Sequence, residues 1–338
     1  MKYALLHGVE DLRIEEKPLP EIEDNKVLIK VKACGLCGTD MRAYSGKYPV
    51  EFPYSPGHEY SGIVADTGKS VKHVKKGDRV AINPNHNCGY CYFCCRGLPH
   101  LCENLKSLKV KSNGGFAEYC LVIENIIHKI PDSVSFKAAT LIEPLSCSLH
   151  ALDEAGIKNG DTVVIIGGGT MGLLNLMLVR NSGVNNIILC EPVEKKREMA
   201  KHLGAGVVCN PKNEQMDRKV KEMTGGIGAD VIIDNVCSGE TIKNALKMVR
   251  RKGKIVLSGL AACEIEVSIS PFEVTKNEIN ITGTFLNPYT FERAIKAADN
   301  IREELQSLIT HEYKLTDINK AIKAFKSEEA IKIVIVPE

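Results

Sequence analysis

Two textures alternate along the 338 residues, and they point to an α/β protein in which a doubly wound parallel-sheet domain is inserted into a split β-rich domain. From 149 to 286, apolar strand-like runs alternate with helix-like stretches, the pattern of a parallel sheet covered on both faces. Residues 1–148 instead carry short strand-like runs closely punctuated by Gly, Pro and Asn, as an antiparallel, loop-rich region does. The tail, 287–338, is helix-rich and closes on one more apolar run that returns to the first region. At roughly 100–200 residues per domain, the length suits two domains.

The elements follow in order. Strands over 27–31 (VLIKV), 61–65 and 79–82 belong to the β-rich part. The run 162–166 (TVVII) is a fully apolar strand, and a helix over 171–181 follows it. A strand over 186–190 (NIILC) and a helix over 194–202 come next, and 206–209, 230–234, 241–250 and 254–257 continue the alternation. In the tail, helices over 291–298 and 318–325 precede a strand over 330–336 (AIKIVIV).

Composition removes several function classes. Lys and Arg total 44 against 42 Asp and Glu, a formal +2, so no field is available to grip nucleic acid or an anionic membrane. The chain has no Trp and only 5% aromatic residues, which further weakens base stacking. Near the N-terminus, Glu10, Asp11, Glu15 and Glu16 follow a short apolar stretch, unlike a secretory signal. The longest uncharged run, 162–179, contains three consecutive glycines with Thr170 and Asn175, a poor match to the ~20 predominantly apolar residues of a membrane span. A soluble, cytoplasmic protein is expected, and its thirteen cysteines then read as metal ligands, thiolates or core residues rather than disulfides.

Gly167-Gly168-Gly169-Thr170-Met171-Gly172 fits G-x-G-x-x-G, a weak signal by itself. Here it directly follows TVVII and opens a helix, the context a dinucleotide fingerprint demands. Gly167 takes the tight turn, Gly169 lets backbone approach a pyrophosphate, and Gly172 lets helix and sheet pack closely. The helix N-terminus, at Thr170 and Met171, offers free N–H groups to the phosphates. Glu191 lies 24 residues after Gly167, just past the next strand, where it accepts from both adenosine ribose hydroxyls and repels a 2′-phosphate. NAD is therefore favoured over NADP; Lys196 reaches the same ribose, and its basic neighbours Lys195 and Arg197 qualify the preference. The bland alternative is a tight turn binding nothing, with Glu191 merely solvated.

Cys88-x2-Cys91-x2-Cys94-x7-Cys102 sets four thiolates in a 15-residue loop, enough to close a tetrahedral structural zinc site. Cys95 is redundant. An iron–sulfur run has a last gap of three and a following Pro, which this segment lacks. A second, dispersed set comprises Cys37, His58, Glu59 and Glu143: one thiolate, one imidazole and one or two carboxylates, which suit zinc with a position left for water or substrate. The rival for Cys34-Gly35-Leu36-Cys37 is a redox dithiol, but the thioredoxin-like βαβ surroundings are missing.

The combination resembles the zinc-dependent medium-chain dehydrogenases, in the branch of sorbitol, other polyol and threonine dehydrogenases. The resemblance spans essentially the whole chain and rests on CGLCGTD (34–40), PGHEYSG (56–62), KKGDRVAINPN (75–85), the cysteine lobe (88–102), NGGFAEY (113–119), IEPLSCSLHA (142–151) and VVIIGGGTMG (163–172). It implies a split GroES-like β-rich catalytic domain, 1–148 and 287–338, and a Rossmann doubly wound parallel-sheet cofactor domain, 149–286. It further implies two zincs per chain, one catalytic and one structural, and a homodimer or homotetramer. Cys37 and His58 would ligate the catalytic zinc, Glu59 would be the neighbouring acidic ligand, and Glu143 would ligate directly or hold the zinc-bound water. Thr39 would hydrogen-bond the substrate hydroxyl, with Asp40 acting from behind the ligands. Glu143-Pro144, where the alcohol branch usually has a Cys, favours a polyol, sugar-alcohol or amino-alcohol substrate.

Two departures qualify this. Arg42 stands where many relatives carry a His that passes the proton to solvent, and Thr284-Phe285-Leu286-Asn287 replaces the Arg-Tyr pair of mammalian-type sorbitol enzymes. The substrate alternatives are L-threonine and a phosphorylated polyol. A non-catalytic nucleotide-binding relic and a zinc-free enoyl or quinone reductase are the other readings; retention of the ligand set argues against both.

Overall fold

The computed structural model describes residues 1–105 and 114–337, and so leaves Asn113 of NGGFAEY outside the described residues. The chain divides into two compact units: Met1–Glu143 with Pro288–Glu338, and Pro144–Asn287.

The first unit is built on a seven-stranded sheet. Its centre is the strand Lys26–Leu36, which pairs antiparallel with Glu59–Thr67 along one edge. Along its other edge it pairs with Tyr119–Ile123 at one end and with Lys332–Val336 at the other. The last strand of the chain therefore closes onto one of the first. Arg79–Ile82 and Ile127–Lys129 extend the sheet beyond Glu59–Thr67. At the opposite edge Ile309–Lys314 runs parallel to Lys332–Val336, an exception to the antiparallel expectation. Its alternating half-buried and exposed residues (ITHEYK) are the pattern of an edge strand with one wet face, too polar to read as a strand beforehand. A separate hairpin, Lys2–Gly8 with Asp11–Glu16, packs on the same core, which includes Leu6, Ile29, Ile82, Phe116 and Ile335.

The second unit is a six-stranded, wholly parallel sheet. Its spatial order is Val207–Cys209, Asn186–Cys190, Thr162–Ile166, Ala229–Asp234, Val249–Leu257 and Asn280–Gly283. Thr162–Ile166 is buried at every position, as a central strand covered on both faces must be. The helix Thr170–Val179 is likewise apolar nearly all round. The segment expected as a helix over 241–250 divides otherwise. Ser238 caps a helix at Gly239–Met248, and Val249 already belongs to the next strand. Among the described residues no helix is long and apolar enough to cross a membrane.

Candidate active site

Cys37 directly follows the strand Lys26–Leu36 and caps the helix Gly38–Tyr44. Asp40, three residues on, completes a capping box by accepting the Cys37 amide through Oδ2 at 3.0 Å. Its other oxygen accepts the Gly57 amide, also at 3.0 Å. One buried carboxylate thus ties the turn bearing Cys37 to the turn bearing His58. His58 Nδ1 lies 3.4 Å from Asp40 Oδ1, close enough for an ion pair but too poorly aligned for a hydrogen bond. Burial would raise the Asp40 carboxyl, yet His58 and the two amides hold it below its ordinary value. Burial would lower the His58 imidazole, and Asp40 and Cys37 more than reverse it.

Glu59 starts the next strand, opposite Gly35 in the register. Donor atoms of Cys37, His58 and Glu59 all lie within 4.8 Å of one another. A thiol, an imidazole and a carboxylate at that spacing fit zinc of the catalytic kind, which takes three protein donors and keeps a position open. Glu143, buried in the first turn of Ile142–Ala155, is not part of that group. Thr39 places Oγ1 3.8 Å from the Cys37 sulfur. Arg42 sits in the last turn of the same helix, where a cation complements the helix dipole.

Sequence reasoning missed Lys332. It is the one buried lysine among the described residues, and its ammonium donates to Glu59 Oε2. Burial would lower its pKa, but Glu59, Cys37 and, more weakly, Glu143 raise it. Gly35 makes the room: a Cβ there would stand 2.3 Å from Glu59 Oε2 and 2.8 Å from Lys332 Cε. The available signal was a lysine at the head of an otherwise apolar strand, KIVIV.

The sulfurs of Cys88, Cys91, Cys94 and Cys102 form a second group within 4.8 Å. Four thiols with no carboxylate or imidazole suit a closed structural zinc. Backbone N–H groups of Tyr90 and Cys91 push the Cys88 thiol down to about 6, toward the thiolate that a metal needs, whereas burial pushes Cys94 up to about 12. Cys95 is exposed and turns its thiol to the Tyr90 carbonyl instead.

In the parallel-sheet unit, Gly167 takes a positive φ of 94° and its amide donates to the Cys190 carbonyl. A Cβ at Gly172 would meet the Gly167 carbonyl oxygen at 1.8 Å, so only glycine lets the helix come this close. A Cβ at Gly169 would meet nothing within 4 Å, leaving open space above the turn. Thr170 and Met171 form the first turn of the helix there, the positive end of its dipole. Glu191 is buried; its oxygens accept the Gly168 amide at 2.7 Å and the Val193 amide at 2.8 Å, each keeping a lone pair for a further donor. Lys196 is half-buried in the first turn of Glu194–His202. The tight glycine turn, the open space and the anchored carboxylate fit a dinucleotide. Asn287, from the segment that stands in place of the Arg-Tyr pair, is buried and donates to Ser146 Oγ at 2.7 Å.

Comparison with known proteins agrees with this geometry. Residues 23–132 match the alcohol dehydrogenase GroES-like domain, and residues 170–300 the zinc-binding dehydrogenase domain. The sorbitol dehydrogenase of Halalkalibacterium halodurans is 33% identical over 98% of this chain and 97% of its own. The chain belongs to the zinc-dependent medium-chain dehydrogenases, in their polyol branch. Among solved structures, a zinc-binding dehydrogenase from Sinorhizobium meliloti bound to NADP superposes on this dehydrogenase with a TM-score of 0.95, at 32% identity and 99% coverage of both chains. An alcohol dehydrogenase from E. coli CFT073, complexed with NADH, gives 0.93 at 29% identity and the same coverage. The dehydrogenase is accordingly an alcohol- or polyol-oxidising enzyme that uses zinc and a nicotinamide cofactor.

Proposed function

We propose that the chain is an NAD-dependent zinc oxidoreductase that passes a hydride between NAD and the secondary alcohol of a polyol or sugar-alcohol-like substrate. The observation that carries the reading is the convergence of the Cys37, His58 and Glu59 donors within 4.8 Å. These three hold the catalytic zinc, and Cys88, Cys91, Cys94 and Cys102 hold a second, structural one. Bound there, zinc supplies acidity, lowering a hydroxyl's pKa much as it lowers that of water from 15.7 to about 7, while the nicotinamide takes up the hydride.

The chain's own residues do the rest. Thr39 Oγ1 accepts a hydrogen bond from the substrate hydroxyl and directs its proton outward, and Asp40 keeps the two ligand turns in register. Glu143, outside the 4.8 Å group, would hold a water beside the zinc rather than ligate the metal itself. Glu191 accepts from both adenosine ribose hydroxyls, and because each of its oxygens already faces an amide, its charge stays where it repels a 2′-phosphate. NAD over NADP rests on that carboxylate. Lys196 donates to the same ribose, and the amides after Gly169 hold the pyrophosphate. Cysteine use in ligand clusters suits a reducing, cytoplasmic setting, and assembly as a homodimer or homotetramer follows the family resemblance.

The test is NAD reduction screened across polyols, phosphorylated polyols and L-threonine, with zinc content measured per chain. A polyol should be fastest, with two zincs per chain. Cys37→Ser should lose one zinc and all turnover while still binding NAD. Unchanged activity in a refolded, metal-analysed Cys37→Ser protein would overturn the assignment, and turnover of L-threonine alone would replace the substrate class.

A further inference from the structure

Lys332 needs a role. Both side chains of the Lys332–Glu59 pair are only 2% exposed, and the pair fills the gap left by Gly35 between three strands. Burying two charges is a poor way to stabilise a fold: well-packed apolar residues of similar volume serve as well or better. Lysines are almost never fully buried. This one faces Glu59, Cys37 and Glu143, and it is the one Lys or Arg buried among the described residues. Its partner is also one of three converging metal donors. An ammonium and a metal ion would then share one carboxylate, and each would receive less of its charge than it would alone.

Resting on the assignment of Cys37, His58 and Glu59 as zinc ligands, we propose that Lys332 is a positioning residue for that metal centre. It grips Glu59 Oε2, fixes the direction of the carboxylate and draws off part of its charge. The ion is thereby bound less tightly, and left more electron-poor, than the three donors alone would leave it. Lys332 trades metal affinity for acidity at the open position.

A merely structural lysine would act in the other direction. Losing it would loosen the ligands, so zinc and activity would fall together. The test compares Lys332→Met, Lys332→Arg and Cys37→Ser with the parent enzyme, reading zinc release to a chromogenic chelator alongside kcat and KM. In Lys332→Met the catalytic zinc should leave about tenfold more slowly while kcat falls about tenfold to a hundredfold, the usual range for groups behind a metal ligand. KM should stay within about threefold, and Lys332→Arg should recover most of kcat, since the guanidinium keeps the charge. Faster zinc release from Lys332→Met, or an unchanged kcat, would overturn the proposal. Cys37→Ser separates the two failures: if it retains the full zinc content, the metal assignment falls, whereas if it loses one zinc, a negative result indicts Lys332 alone. Should Lys332→Met not fold, Glu59→Gln and the double variant Lys332→Met/Glu59→Gln decide. With the repelling ammonium gone, the double variant should hold zinc about tenfold more tightly than Glu59→Gln. Equal retention by the two would reject the role.

Discussion

Asp40 commits both carboxylate oxygens to backbone, one to the Cys37 amide and one to the Gly57 amide. An asparagine offers one acceptor and turns an NH2 toward the other amide, so Asp40→Asn should cost about 1–3 kcal/mol, the penalty of an unsatisfied buried donor. Urea unfolding of the zinc-free proteins measures it. The pH dependence has a definite sign. The folded Asp40 carboxyl lies below its ordinary 3.8. Its contribution is therefore complete above the unfolded value and fades as pH falls through the lower, folded one. The parent should lose stability over that acid window more steeply than Asp40→Asn; parallel acid limbs would show that the carboxylate is not charged in the fold. Glu191 allows a second test. Removing a charged acceptor from the ribose should lower the NAD-to-NADP ratio of kcat/KM by roughly tenfold to a hundredfold in Glu191→Ala, and a constant ratio would mean that another residue reads the ribose. At this scale the donors were legible as residue types, since Cys37, His58 and Glu59 stand in short glycine-rich motifs. Their convergence was not, and neither was the pairing of Lys332 with Glu59, which spans 273 residues through strand pairing that no local pattern reports.

The glycine turn before Thr170–Val179 separates packing from binding within one element. Gly169 has an ordinary φ of −75° and open space beside it, whereas a Cβ at Gly172 would collide with the Gly167 carbonyl. Gly169→Ala should leave the melting temperature nearly unchanged yet weaken NAD binding about tenfold or more, because the methyl fills space meant for the pyrophosphate. Gly172→Ala should instead cost about 1–3 kcal/mol, as overpacking does, with any binding loss following from the displaced helix. Calorimetry and a fluorescence titration of NADH read the two effects. Equal binding losses with no difference in stability would contradict the assignment of the two glycines. The helices Met216–Met223 and Pro271–Asn277 went unread, whereas the central strands and the helices beside the glycine turn were legible because Thr162–Ile166 is apolar throughout and a helix follows it. The edge strands Ile309–Lys314 and Asn280–Gly283 were not, being short and half-exposed, with sequences that suit a loop equally well.

Across the whole chain, the two kinds of ligand are assigned to different units. Cys37, His58, Glu59, Glu143 and the four lobe cysteines all lie in the split unit, and the glycine turn with Glu191 lies in the inserted one. Each unit has its own buried apolar cluster, one around Ile29, Ile82 and Phe116, the other around Val164, Ile188 and Ile232. A chain built this way is not expected to unfold in a single two-state step. Ligands stabilise the structure they bind, by about 2.7 kcal/mol at about a hundred times Kd. NAD at that excess should therefore raise one calorimetric transition by roughly 5–10 °C, while chelating the zinc should lower the other. Cys94→Ser should mimic part of the chelator's effect, since metal binding in a thiolate loop is itself folding energy, and proteolysis should then start within residues 88–102. A single transition moved equally by NAD and by chelator would mean that the units unfold as one and that cofactor and metal share a common energetic frame.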